Sequence, residues 1–211
     1  MGASGVPRTE PGLDRERLRF VDAVRSSFGF LEQLEFGVVI ELSTLVRYES
    51  DLVFVVLFHG RGSYELGVEI GHRVEVDGQL VEEKFALADV VSLAVPLEES
   101  GFRSFATTDA EQLPGFVAQL AGWTERYGGP ALRDEPGVFV QLRAAGVKRS
   151  EAMQDEWAAA RLRDAADAAW RTKDYSRVVD AYREIISELR SVEMRPSELA
   201  RLRFAEDHLD S

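Results

Sequence analysis

The sequence predicts an α+β protein: an N-terminal helix, an antiparallel β-meander of three to four strands, further helices, and an all-α C-terminal hairpin region. Three observations carry that prediction. Apolar residues recur every three or four positions up to residue 35, then alternate or run unbroken over strand-length stretches to about residue 81, and return to helical spacing after residue 86. Turn residues separate the strand-like runs at short intervals, as in a meander.

In the first segment Leu18, Val21, Val24, Phe28, Leu31 and Leu34 form one stripe, which places a helix from Asp14 to Glu35. Asp14 suits the N-cap, and Gly37 stands where a helix end often carries glycine. Residues 1–12 are small, polar and proline-bearing; they are expected to be disordered and lack the apolar centre of a signal peptide.

The next stretch, Phe36 to Glu49, reads as a single strand with Val38, Ile40, Leu42, Val46 and Tyr48 on one side. Leu52–Phe58 is apolar throughout, as a central strand covered on both faces would be. Tyr64–Ile70 alternates again, and a fourth strand around Arg73–Val81 would turn near Asp77-Gly78. Even-length turns at Ser50-Asp51 and Gly60–Ser63 keep facing residues on the same side of the sheet. Leu42, Val46, Tyr48, Val53, Val55, Leu57, Leu66, Val68 and Ile70 then form the core face. The other face collects Leu45, Phe54, Val56 and Phe58, flanked by Arg47, Glu49, Glu65 and Glu69, with Gly67 opposite Val56. Either the protein's own helices or a partner would cover that second stripe.

Residues 86–95 read as a short helix. A second runs through Phe116, Leu120, Trp123 and Tyr127, with Pro114 in its first turn and Gly128-Gly129-Pro130 at its end. A short helix follows Pro136, and another runs from Ser150 to Arg171. Asp174 caps the next, which carries Val178, Tyr182, Ile185 and Leu189, and Pro196 opens the last. The change of style near residue 148 divides an acidic α+β domain (13–148) from a helical region (149–211).

Composition excludes several functions. With no cysteine there is no disulfide, thiolate nucleophile or Cys-ligated zinc. The net charge of −12 opposes nucleic-acid binding, which works by neutralising phosphates. Fourteen acids face four bases between residues 30 and 100, so the sheet region holds most of that charge. No apolar run approaches a membrane span, so a cytoplasmic protein with no membrane contact is expected.

No catalytic chemistry stands out, and no cofactor or metal is expected. Gly60–Gly67 looks like a phosphate loop, but a strand follows it where a helix N-terminus is needed. His59, His72 and His208 form no metal spacing, and the hairpin register sets the first two at opposite ends of the sheet, with His59 beside Tyr64. Glu82-Glu83 reads as a pair of solvated loop charges.

Two resemblances add to this reading. Ala165–Leu189 resembles one tetratricopeptide-type helical hairpin through the spacing of Asp174-Tyr175, Val178, Tyr182 and Ile185, with Val178 where the family has a small alanine. The overall plan, and the Arg47–Gly71 region in particular, resembles small bacterial immunity proteins that act against secreted toxins. The acidic sheet face points to a non-enzymatic protein that binds a basic or mixed partner protein through its sheet, of which an immunity protein is the most concrete example. The residues expected to make the contact are Phe54 and Phe58 as anchors, Glu65 and Glu69 as acids, and Arg47 at the rim. A scaffold that works through its C-terminal hairpin and an enzyme with no legible motif are the other readings. The oligomeric state is open.

Overall fold

The computed structural model describes residues 15–209. The expected disordered tail and the Asp14 cap lie outside the described residues. Two compact units divide the chain, Met1–Arg143 and Ala144–Ser211.

In the first unit a 3-10 turn, Arg15–Leu18, leads into helix α1 (Phe20–Ser27), and a second 3-10 stretch follows at Gly29–Leu34. The expected single helix is therefore broken twice, at Arg19 in left-handed conformation and at Phe28. The apolar stripe survives the breaks: Leu18, Val24, Phe28 and Leu31 are all buried.

Five strands follow in meander order: β1 (Gly37–Leu42), β2 (Leu45–Glu49), β3 (Val53–His59), β4 (Glu65–Val76) and β5 (Gln79–Ala86). The single strand expected over Phe36–Glu49 is thus a hairpin that reverses at Ser43-Thr44. The Asp77-Gly78 turn takes positive φ at both residues (52° and 77°), the twist that a tight two-residue hairpin requires. Glycine adopts that region freely, and aspartate tolerates it.

Helices α2 (Leu87–Ala94) and α3 (Leu97–Ser100) come next, followed by the two-residue strand β6 (Phe105–Ala106), which pairs with the start of β4. Helix α4 (Leu113–Tyr127) has proline in its first turn, and the short α5 (Gly129–Leu132) follows directly. One core unites the helices and one sheet face: Val46, Tyr48, Val53, Val55, Leu57, Leu66, Val68 and Ile70 pack with Phe20, Val24, Phe28, Leu87, Val91, Val117 and Leu120. Each such side chain contributes about 1.5–3 kcal/mol on burial.

The core face therefore matches the parity expectation in every member except Leu42, which is 53% exposed. Both hairpins are shifted by two residues from the expected register. Ser50 N donates to Val53 O, so the first turn is Asp51-Leu52, and His59 pairs with Leu66 across a six-residue loop. An even shift leaves the sidedness of β2, β3 and β4 intact. Leu42 leaves the core face because the turn at Ser43-Thr44 pairs it with Leu45, which also puts Ile40 beside Arg47, and a bulge at Val39 then returns Val38 to the core side beside Tyr48.

Helix α6 (Val138–Arg171) merges the short helix expected after Pro136 with the one expected from Ser150; its residues from Ala144 onward belong to the second unit. There α7 (Tyr175–Glu188) starts at the Asp174 cap, whose side chain accepts from Arg177 N, and α8 (Pro196–Leu209) opens at its proline. Ala166, Ala169, Val178, Tyr182, Ile185, Leu202 and Ala205 form a separate small core, with Trp170 half-buried against it. Among the described residues no helix is long and apolar enough to cross a membrane.

Candidate functional site

The second face of the sheet is best described in rows that run across the strands. One row is Leu42, Leu45, Phe58 and Gly67; the next is Ile40, Arg47, Val56, Glu69 and Ala86; a third is Glu49, Phe54, Gly71 and Lys84. Among the described residues, none of Leu45, Phe54, Val56 or Phe58 joins the core that the helices share with the sheet.

Each phenylalanine lies over the glycine paired with it. A Cβ on Gly67 would fall 2.2 Å from Phe58 Cζ, and one on Gly71 would fall 2.3 Å from Phe54 Cζ. The bare backbone of these glycines is thus filled by the neighbouring strand's ring. The expected partner of Gly67 was Val56; the two-residue shift of register brings Phe58 there instead.

Phe54 is sealed from above as well. The Arg47 guanidinium stands 4.1 Å from its ring centroid. Arg47 donates two hydrogen bonds to Glu82, at 2.6 and 3.0 Å, and its Nε lies 2.7 Å from Glu49 Oε1 without the alignment of a hydrogen bond. Arg73 closes the ring by donating to Glu49 at 2.7 Å. Hydrogen bonding from Arg73 holds the Glu49 carboxyl below its usual range, and that from Arg47 does the same for Glu82. Glu82 is therefore a strand residue in a charge lattice and not a solvated loop charge. Its neighbour Glu83 accepts from Arg143 at 2.5 Å and lies 3.2 Å from His72, whose ring stacks on Phe139.

The five residues expected to form the site thus separate. Arg47 and Phe54 come together as a closed unit, with Phe54 only 1% exposed. Phe58 is half-buried in the neighbouring row, Glu69 is paired with Lys84 at 2.7 Å, and Glu65 is exposed at the start of β4 opposite Ala106. Reading the sequence missed Ile40 and Leu42, which are 41% and 53% exposed beside Leu45. The signal was Ser43-Thr44 between two apolar runs, which marks a turn. It also missed that Arg73 and Lys84 bring basic charge onto this face.

His59 is buried with both ring nitrogens engaged. Arg15 donates to Nδ1 at 2.8 Å, so Nε2–H is the donor to Thr107 O at 2.9 Å. Tyr64 is its ring neighbour at 6.1 Å, as the hairpin reading expects, and Phe20 lies at the same distance on another side. Burial pushes its pKa down, and the Arg15 charge adds to that. Among the described residues no group of three or more His, Asp or Glu could hold a metal ion. A cleft of about 250 Å³ beside Val90, Tyr127, Pro130 and Val138 falls below the roughly 300–1,000 Å³ usual for ligand sites.

Comparison with protein-family models, curated proteins and solved structures returns no match.

Proposed function

We propose that the protein is a non-enzymatic protein-binding module whose second sheet face meets a partner protein along Ile40, Leu42, Leu45 and Phe58. An immunity-type neutraliser is the most concrete member of that class. The observation that carries the reading is the row Leu42–Leu45–Phe58. It sets aliphatic and aromatic side chains side by side on three neighbouring strands, outside the helix-covered core, and grows more exposed toward the sheet edge. A contiguous apolar strip with charged flanks is the usual composition of an interface centre and rim. Phe58 takes the anchor role in this reading, since Phe54 is already sealed under Arg47. Glu65 and the Glu69–Lys84 pair supply the rim.

The test is affinity capture from the native cell with the wild-type protein, Ile40→Lys plus Leu42→Lys, and Leu80→Lys. Leu80 is 73% exposed at the far edge of the sheet and serves as the control. A protein retained by the wild type and by L80K, and lost with the double variant at an unchanged melting temperature, supports the reading. Retention of the same protein by the double variant overturns it.

A further inference from the structure

We infer that the partner adds a β-strand to the free edge of β1, and that the added segment alternates apolar with basic residues; this rests on the protein-binding reading above. The five-strand meander has two edges, and they are built differently. Strand β5 carries Glu82, Glu83 and Lys84 in succession, and each is held by a partner: Arg47, Arg143 and Glu69. Charged residues along an edge are the common protection against unwanted pairing. Strand β1 has little of this protection, a single charge and a bulge at Val39 near its start. Its sequence is Gly-Val-Val-Ile-Glu-Leu, all six residues are exposed, and its one charge, Glu41, is tied to Arg25 at 2.6 Å. Among the described residues no strand lies beyond β1, so its outward N–H and C=O groups lack a ladder partner.

That arrangement limits what can dock. Exposed aliphatic side chains beside a row of unpaired backbone donors and acceptors are satisfied together by another extended chain, the strand-addition mode of peptide recognition. The Val39 bulge leaves Ile40, Glu41 and Leu42 as the regular part of the strand, so the added ladder is short and centred on Glu41. Ile40 and Leu42 then contact alternate residues of the incoming strand, continuing the Leu42–Leu45–Phe58 row by one strand. Charge selects between occupants. The chain carries −12, with exposed Glu32 and Glu35 just ahead of β1. A second copy would bring the same acids to the same edge, whereas a basic segment is attracted to it.

The probes are two capped ten-residue peptides, one alternating lysine with valine and one alternating glutamate with valine, titrated into the full-length protein under NMR observation. The expected result is shift changes and slowed amide exchange confined to Ile40–Leu42 and their β2 neighbours. The lysine peptide should bind at least tenfold tighter than the glutamate peptide, and Val39→Lys plus Ile40→Lys should remove the effect while the rest of the spectrum is kept. No change at β1, or equal binding of the two peptides, overturns strand addition by a basic segment. A concentration-dependent dimer in sedimentation that Ile40→Lys abolishes also overturns it and assigns the edge to a second copy. If strand addition fails while capture still depends on Ile40 and Leu42, the binding face stands and only its geometry is wrong.

Discussion

Arg47 covers Phe54: the guanidinium lies 4.1 Å from the ring centroid while both of its terminal nitrogens bond Glu82. A flat cation is thus stacked on an apolar ring and fixed there by a bidentate carboxylate. Lysine can reproduce neither the stacking nor the fork. Arg47→Ala should cost about 2 kcal/mol, from lost charged hydrogen bonds and cation–π contact. Arg47→Lys should cost about 1 kcal/mol, since it keeps the charge alone. Urea unfolding should show both as a lower midpoint with unchanged slope.

The two phenylalanine–glycine pairs should respond differently to an added methyl. At Gly71 a Cβ meets Phe54 Cζ at 2.3 Å and the backbone oxygen of Glu83 at 2.4 Å, and neither has room to move because Arg47 caps the ring. At Gly67 the three atoms nearest the Cβ all belong to the Phe58 ring, which is half-buried and has room to swing outward. Gly71→Ala should therefore destabilise by about 3 kcal/mol and Gly67→Ala by about 1 kcal/mol or less. Equal losses in thermal unfolding would refute the idea that Arg47 locks the first ring.

Much of this face was legible from parity. Val55 and Val56 fall on opposite sides because a strand alternates, and the assignment of faces survives any even shift of register, whether the turn moves by one residue, as at Asp51-Leu52, or lengthens by two, as at the Gly60 loop. What alternation cannot reveal is a bulge. Val38, Ile40 and Leu42 look equivalent in sequence, yet the Ser43-Thr44 turn places the last two on the second face and the extra residue at Val39 returns Val38 to the core side. The lattice was also hidden. Arg47 and Glu82 lie 35 residues apart, and their meeting depends on β4 being 12 residues long, a length that the weak alternation past Ile70 does not announce. In the helical region Asp174, Pro196 and the Val178–Tyr182–Ile185 stripe were local signals, and each does what its chemistry requires.

His59 and the Arg47–Glu82–Arg73–Glu49 ring should produce two separate acid transitions. The His59 pKa is depressed below 6.5 by burial and by Arg15, so the folded state disfavours the protonated ring. Its contribution is complete above 6.5, the unfolded value, and is lost as pH falls through the depressed folded value. Glu49 and Glu82 are depressed below 4.5, so their contribution is complete above 4.5 and lost only in stronger acid. Urea midpoints measured against pH should fall in two stages. His59→Gln should flatten the stage that sets in as pH falls below 6.5, and Glu82→Gln should leave that stage intact. A first stage that persists in His59→Gln would assign it to another group.

In the second unit the Arg163–Glu198 pair ties α6 to α8. Glu198 is 6% exposed; its Oε1 accepts from Arg163 Nε at 2.9 Å and its Oε2 accepts from the backbone N–H of Arg195 at 2.8 Å. The carboxylate thereby satisfies a free donor at the start of α8 and neutralises a cation that is itself only 16% exposed. Removing Glu198 leaves the Arg163 charge with its weaker contacts, Glu193 O at 3.2 Å and Glu156 Oε2 at 3.6 Å, and that loss costs more than the pair contributes. Glu198→Ala should therefore destabilise by about 3 kcal/mol, whereas the double variant Glu198→Leu plus Arg163→Met should recover most of that loss. Hydrogen exchange offers the check at residue level. In Glu198→Ala the amides of α8 should lose protection while those of β3 keep theirs, because the small core of Val178, Tyr182, Ile185 and Leu202 is separate from the sheet core. Equal loss of protection in β3 would show that the two cores unfold as one.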